Sequence, residues 1–125
     1  MSKFRKGSAL VVLVALVALV AAVAAFGSSA QQSATTTVAV TAGKPSELKF
    51  TLSKKTILKG TGVFKVTNKG KISHDFKIAG KKTPSLTAGK VATLRVIFTK
   101  AGKYPYLCTL PGHAAAGMKG VLVVK

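Results

Sequence analysis

YPYLCTLPGHAAAGMKG, residues 104–120, places one thiol (Cys108), one imidazole (His113) and one thioether (Met118) at five-residue intervals. Its first half alternates as a strand does: Tyr104, Tyr106 and Cys108 share one face, and Pro105 and Leu107 take the other. After Cys108 the strand composition stops. Pro111, Gly112, Gly117 and the alanine run 114–116 read as a loop folded over the strand end. Soft sulfur and imidazole at this spacing suit copper, but three side chains leave the donor set incomplete.

The fourth donor comes from another strand. In Ser73–Ala79, His74 falls on the same face as Phe76 and Ile78, opposite Lys77. It therefore points inward at a strand end, where a histidine needs a partner. Elsewhere after residue 30 the chain is rich in Val, Thr, Ile and Phe, has no helical period, and is broken by Gly, Lys and Asn. Strands are expected over 38–42, 47–52, 62–67, 73–79, 91–99, 103–109 and 120–125. About seven short strands with Gly-rich turns predict an all-β sandwich or barrel, with no internal repeat.

Residues 1–30 do not read as part of that sandwich. Lys3, Arg5 and Lys6 precede an unbroken apolar run, Ala9–Phe26, and Ser28 and Ala30 occupy −3 and −1 of a cleavage site before Gln31. The run also reaches the length of a spanning helix, so residues 1–30 are either a removed signal peptide or a retained membrane anchor through residues 9–26. Both place the remainder outside the cytoplasm: periplasmic, secreted, or tethered to the outer face of the membrane. Gln31–Thr37 reads as a flexible tether and 38–125 as the folded domain. Cys108 is the only cysteine, so no disulfide can staple this small domain, and a lone thiol in an exported chain calls for a specific role.

Three of the 20 Lys and Arg residues precede the apolar run, leaving 17 against Glu47 and Asp75, a net charge of +15. Lysine and arginine alternate with apolar residues in Leu48-Lys49-Phe50, Phe64-Lys65-Val66, Phe76-Lys77-Ile78 and Leu94-Arg95-Val96, a solvated strand face. A nucleic-acid patch would cluster its basic residues and interleave aromatics, so no nucleic acid is expected. The charge favours encounter with acidic proteins or anionic polymers.

His74, Cys108, His113 and Met118 include every histidine and cysteine and the only internal methionine. They match the His₂Cys trigonal site with a weak axial Met that copper uses for electron transfer. A thiol nucleophile with His113 as base would want an orienting carboxylate or amide and would leave Met118 unexplained. Zinc prefers four strong ligands, for which a thioether is a poor choice. Binuclear copper needs a second cysteine. Copper trafficking or storage without redox turnover would use the same four residues, and an adhesin acting by charge alone would leave them a coincidence.

With His74-Asp75-Phe76, Gly62–Gly70 (GVFKVTNKG), Ala101–Cys108 (AGKYPYLC) and Gly117–Gly120 (GMKG) alongside this ligand spacing, the sequence from Val38 to Lys125 resembles the blue copper proteins, the cupredoxins. Residues 108–113 resemble the azurin loop, and the four residues between His113 and Met118 resemble plastocyanin and the phytocyanins. The resemblance implies a Greek-key β-sandwich holding one type 1 copper ion, no enzymatic activity, and single-electron transfer between redox proteins. It implies ligation by Nδ1 of both histidines, Cys108 Sγ and a long Met118 Sδ. It also implies that His113 is the electron port, ringed by Leu110, Pro111, Gly112 and Ala114–Ala116, where redox partners dock. A monomer is expected. Asp75 stands where the family commonly has an Asn tying the two ligand loops together; it either forms a similar hydrogen bond or adds negative charge beside the metal.

Overall fold

A computed structural model describes residues 34–125, which lie within a compact unit, Gln31–Lys125. The signal or anchor expected over residues 1–30, and tether residues 31–33, lie outside the described residues. Nine strands are present among those described: β1 (Ala34–Ala42), β2 (Phe50–Leu52), β3 (Thr56–Ile57), β4 (Gly60–Asn68), β5 (Lys77–Ile78), β6 (Lys81–Lys82), β7 (Val91–Phe98), β8 (Gly102–Leu107) and β9 (Lys119–Val124). They form a four-stranded sheet ordered β2-β1-β4-β7 and a five-stranded sheet ordered β3-β9-β8-β5-β6. The all-β sandwich read from the sequence is the fold, with two more strands than expected.

The differences have local causes. β1 starts at Ala34 because Ala34–Thr37 continue the parallel ladder with Gly60–Val63 of β4, so these residues of the expected tether are strand. The strand expected over 47–52 is only Phe50–Leu52. Gly43 adopts a positive φ of 81° and its amide bonds Lys49 O at 2.9 Å, so the chain loops back before β2. That loop carries Glu47. The strand expected over 73–79 reduces to Lys77–Ile78, with His74 joined to Leu86 by an isolated antiparallel bridge. β8 ends at Leu107, so Cys108 lies one residue beyond the ladder.

Alternation survives these changes. Phe64, Val66, Val96 and Phe98 from one sheet meet Ile57, Ile78, Tyr106, Leu122 and Val124 from the other in a single buried cluster. Phe76 is fully buried at its centre, with ring centroids 5.4 Å from Phe50, 5.5 Å from Phe64 and 5.5 Å from Tyr106. Gly62 makes room for the edge-on pair Phe64–Phe98, since a Cβ there would come within 2.8 Å of the Phe98 ring. A second, smaller cluster of Ala42, Cys108 and Met118, flanked by Leu48, Phe50 and Leu110, continues the core towards the donor residues.

Candidate metal centre

The loop after β8 is laced through the donor residues themselves. The Cys108 amide donates to Met118 O at 3.1 Å, and the Met118 amide donates to His113 O at 3.0 Å. His113 N in turn donates to Leu110 O at 3.2 Å, closing a turn over Pro111 and Gly112. Gly112 and Gly117 both adopt positive φ, 79° and 106°, which supplies the reversals that such a short loop requires. Three of the four sequence-predicted residues are thus held by one small backbone network.

His74 arrives from the segment between β4 and β5. It exchanges both backbone hydrogen bonds with Leu86, N to O at 3.0 Å and O from N at 2.7 Å. Asn68, fully buried at the end of β4, anchors the same segment. Its Nδ2 donates to Leu86 O at 2.7 Å and Ile72 O at 2.8 Å, and its Oδ1 accepts from Gly70 N at 2.8 Å. In the sequence Asn68 stands in Asn68-Lys69-Gly70, which reads only as a turn signal.

Side chains converge accordingly. His74 Nδ1 lies 3.2 Å from His113 Nδ1, which lies 3.4 Å from Cys108 Sγ. These donors all lie within 4.8 Å of one another. His74 and Cys108 are fully buried, whereas His113 is half-buried at the surface of the loop. Met118 is fully buried and packs with Cys108 and Ala42. Burial pushes the Cys108 thiol above its ordinary value, against the pull of nearby backbone amides. A bound cation would favour the thiolate over that burial effect. Two imidazole nitrogens and one sulfur face one another within 4.8 Å, a donor set that fits a soft or borderline cation.

Asp75 is also buried, and it ties the two halves together. Its Oδ1 accepts from Thr109 N at 2.6 Å, and its Oδ2 accepts from the Thr109 hydroxyl. Asp75 makes the tie, joining the residue after His74 to the residue after Cys108, and its charge also acts on the Cys108 thiol. Asp75→Ala should therefore destabilise the metal-free protein by about 1.5–3 kcal/mol, the range for hydrogen bonds to a charged group, while Asp75→Asn should cost less. Urea unfolding of the two variants measures this; equal stability to wild type would mean that the tie carries no energy.

Glu47, which sequence reasoning did not assign to the site, makes a second carboxylate contact. Its Oε1 lies 2.8 Å from His74 Nε2, and the carboxylate accepts from Lys71 N at 2.9 Å and Ile72 N at 3.1 Å. Those amides and then His74 hold the Glu47 carboxyl down to about 2. The available signal was compositional: so basic a chain keeps only two acidic residues, and both contact the segments that carry donors.

Known structures share this architecture. Rusticyanin from Thiobacillus ferrooxidans superposes with a TM-score of 0.63 at 26% identity, covering 73% of this chain and 77% of that one. Auracyanin B gives a TM-score of 0.61 at 23% identity over 74% of this chain and 90% of that one. Auracyanin A, a "blue" copper protein from Chloroflexus aurantiacus, gives 0.59 at 20% identity over 74% of this chain and all of that one (100%). The two auracyanins speak to fold alone. No curated protein sequence matches the chain. The model of the cupredoxin-like domain family matches residues 12–124, nearly the whole sequence, and the chain accordingly belongs to the cupredoxin-like family.

Proposed function

We propose that this chain is an exported type 1 copper protein that carries single electrons between redox partners. The observation that carries it is the convergence of His74 Nδ1, His113 Nδ1 and Cys108 Sγ within 4.8 Å, with Met118 buried beside the thiol. In this proposal the first three are the strong donors and Met118 Sδ the weak one. Bound copper would supply a Cu(I)/Cu(II) couple, and the thiolate, imidazole and thioether set is acceptable to both states.

The protein's own contribution is to hold that set still. Cys108, His113 and Met118 are fixed to each other by backbone bonds, and His74 is fixed by Leu86 and by the Asp75–Thr109 tie to the Cys108 side. Few groups then need to move when charge changes. His113, half-buried beside exposed Pro111, Gly112, Ala115 and Ala116, is the route by which an electron enters and leaves. Glu47 is engaged with His74 and Asp75 is buried against Thr109. Among the described residues no lysine or arginine is paired with a carboxylate, and the lysines and Arg95 are exposed to solvent. A partner with an acidic face suits such a surface. The basic, apolar and small-residue succession over residues 1–30 supports export.

Titration of residues 31–125 with Cu(II) tests this. An intense blue colour saturating at one copper per chain is expected, bleaching on reduction and returning in full on reoxidation through repeated cycles. A colourless complex overturns the copper site. Release of copper at each reduction would replace electron transfer by copper trafficking.

A further inference from the structure

From the contacts at His74 Nε2 we infer that Glu47 is a positioning residue for the metal centre: a carboxylate that fixes the His74 tautomer, directs Nδ1 at the donor cluster and favours the more highly charged copper state. The inference rests on the copper site proposed above.

Geometry carries it. A neutral imidazole keeps one proton, and the nitrogen without it is the one that can bind a metal. With Oε1 2.8 Å from Nε2, the proton belongs on Nε2 and the lone pair on Nδ1. That is the nitrogen 3.2 Å from His113 Nδ1. The carboxylate is itself immobilised by the Lys71 and Ile72 amides, both in the segment leading to His74. Glu47 thus joins the β1–β2 connection to the ligand and to its loop. Carboxylate partners of this kind raise ligand basicity as well as orienting the ring.

Gly70 supports the same conclusion from the opposite side. A Cβ at this position would collide with Glu47 Oε1 and come within 3.0 Å of His74 Nε2. No positive φ demands glycine there. Its place against the pair is what demands it: any larger residue would separate carboxylate from imidazole. Acidic residues are also scarce, two in the whole chain, and the second already ties the Cys108 side.

The test compares wild type with Glu47→Gln, Glu47→Ala and Gly70→Ala, each made in the full chain and purified as the cell leaves it. In the metal-free proteins, nitrogen-15 NMR reads the His74 tautomer. Wild type should show only the Nε2–H form, and Glu47→Ala and Gly70→Ala a mixture. Glu47→Gln, which keeps a carbonyl acceptor, should retain the wild-type tautomer. In the copper-loaded proteins, Cu(II) affinity should fall by about 10–100-fold in Glu47→Ala, the usual cost of losing such a partner. Cu(I) affinity should fall less, so the midpoint potential rises, with Glu47→Gln between wild type and Glu47→Ala. A residue that only stapled the loop would lower stability and leave tautomer and potential unchanged, and that result overturns the inference. The metal-free spectra decide the tautomer assignment even in a protein that never turns blue, so failure here is separable from failure of the copper site.

Discussion

Cys108→Ser is expected to abolish the blue absorption of the copper-loaded protein completely while leaving the chain folded. The absorption would arise from charge transfer between thiolate sulfur and copper, and a serine hydroxyl at the same position supplies neither the soft donor nor the ready anion. The fold is expected to survive because what the loop needs from position 108 is its backbone: the amide donates to Met118 O at 3.1 Å whatever the side chain. Burial is complete at this position, so the new hydroxyl costs about 1–3 kcal/mol unless it finds a partner. His113 Nδ1, 3.4 Å from the sulfur, is the group placed to provide one. Absorption spectra of the copper-loaded variant and urea unfolding of the metal-free variant separate the two effects. Retention of a strong blue band would place copper somewhere other than the His74–Cys108–His113 cluster. Loss of the fold together with the colour would mean that the thiol is needed for packing, a role that a serine of nearly equal size should fill.

Much of this centre was legible in the sequence because period-two alternation survives shortening of the strands. His74 shares its parity with Phe76 and Ile78, and all three are buried although the ladder itself covers only Lys77 and Ile78. Cys108 kept its parity with Tyr106 one residue beyond β8 for the same reason. Alternation is a property of extended backbone and does not require that every residue be paired. Asp75, of the other parity, is buried as well, because its carboxylate is taken up by Thr109. What the sequence could not reveal were contacts set by a reversal. Glu47 reads as the first residue of a strand that would run to Leu52. It instead sits in a loop closed by Gly43 and Lys49, and the turn brings it to Lys71, Ile72 and His74, more than 20 positions away. Asn68 was hidden similarly: a turn signal and a buried bracket for three backbone groups have the same spelling. The parallel start of β1 on β4 is not legible because Ala34–Thr37 are one alanine and three threonines, whose strand pairing is dictated by the neighbour and not by their own hydrophobicity.

Phe76→Ala should cost about 3–5 kcal/mol, the range for emptying a buried aromatic site. For a domain this small, whose total stability is of the order of 5–15 kcal/mol, that is a fifth or more of what holds it folded. The cavity has little scope to collapse, because Phe76 is surrounded by the rings of Phe50, Phe64 and Tyr106, and Phe64 belongs to the opposite sheet. Its backbone is pinned as well, its amide donating to Thr83 Oγ1 at 3.1 Å and its carbonyl accepting from Thr83 N at 3.0 Å. Ile97→Ala provides the contrast: Ile97 is 66% exposed on the edge strand β7, so its truncation should fall within about 0.5 kcal/mol of wild type. Urea midpoints of the metal-free proteins rank the two, and a Phe76→Ala cost no larger than that of Ile97→Ala would contradict the inter-sheet packing. Copper gives the comparison a second use. A metal that binds only the folded chain stabilises it by about 2.7 kcal/mol when free metal is 100 times the dissociation constant. Phe76 lies two residues from His74 but contributes no donor, so excess copper should restore most of the folded population of Phe76→Ala, whereas Cys108→Ser, which lacks the thiolate, should gain far less from the same addition.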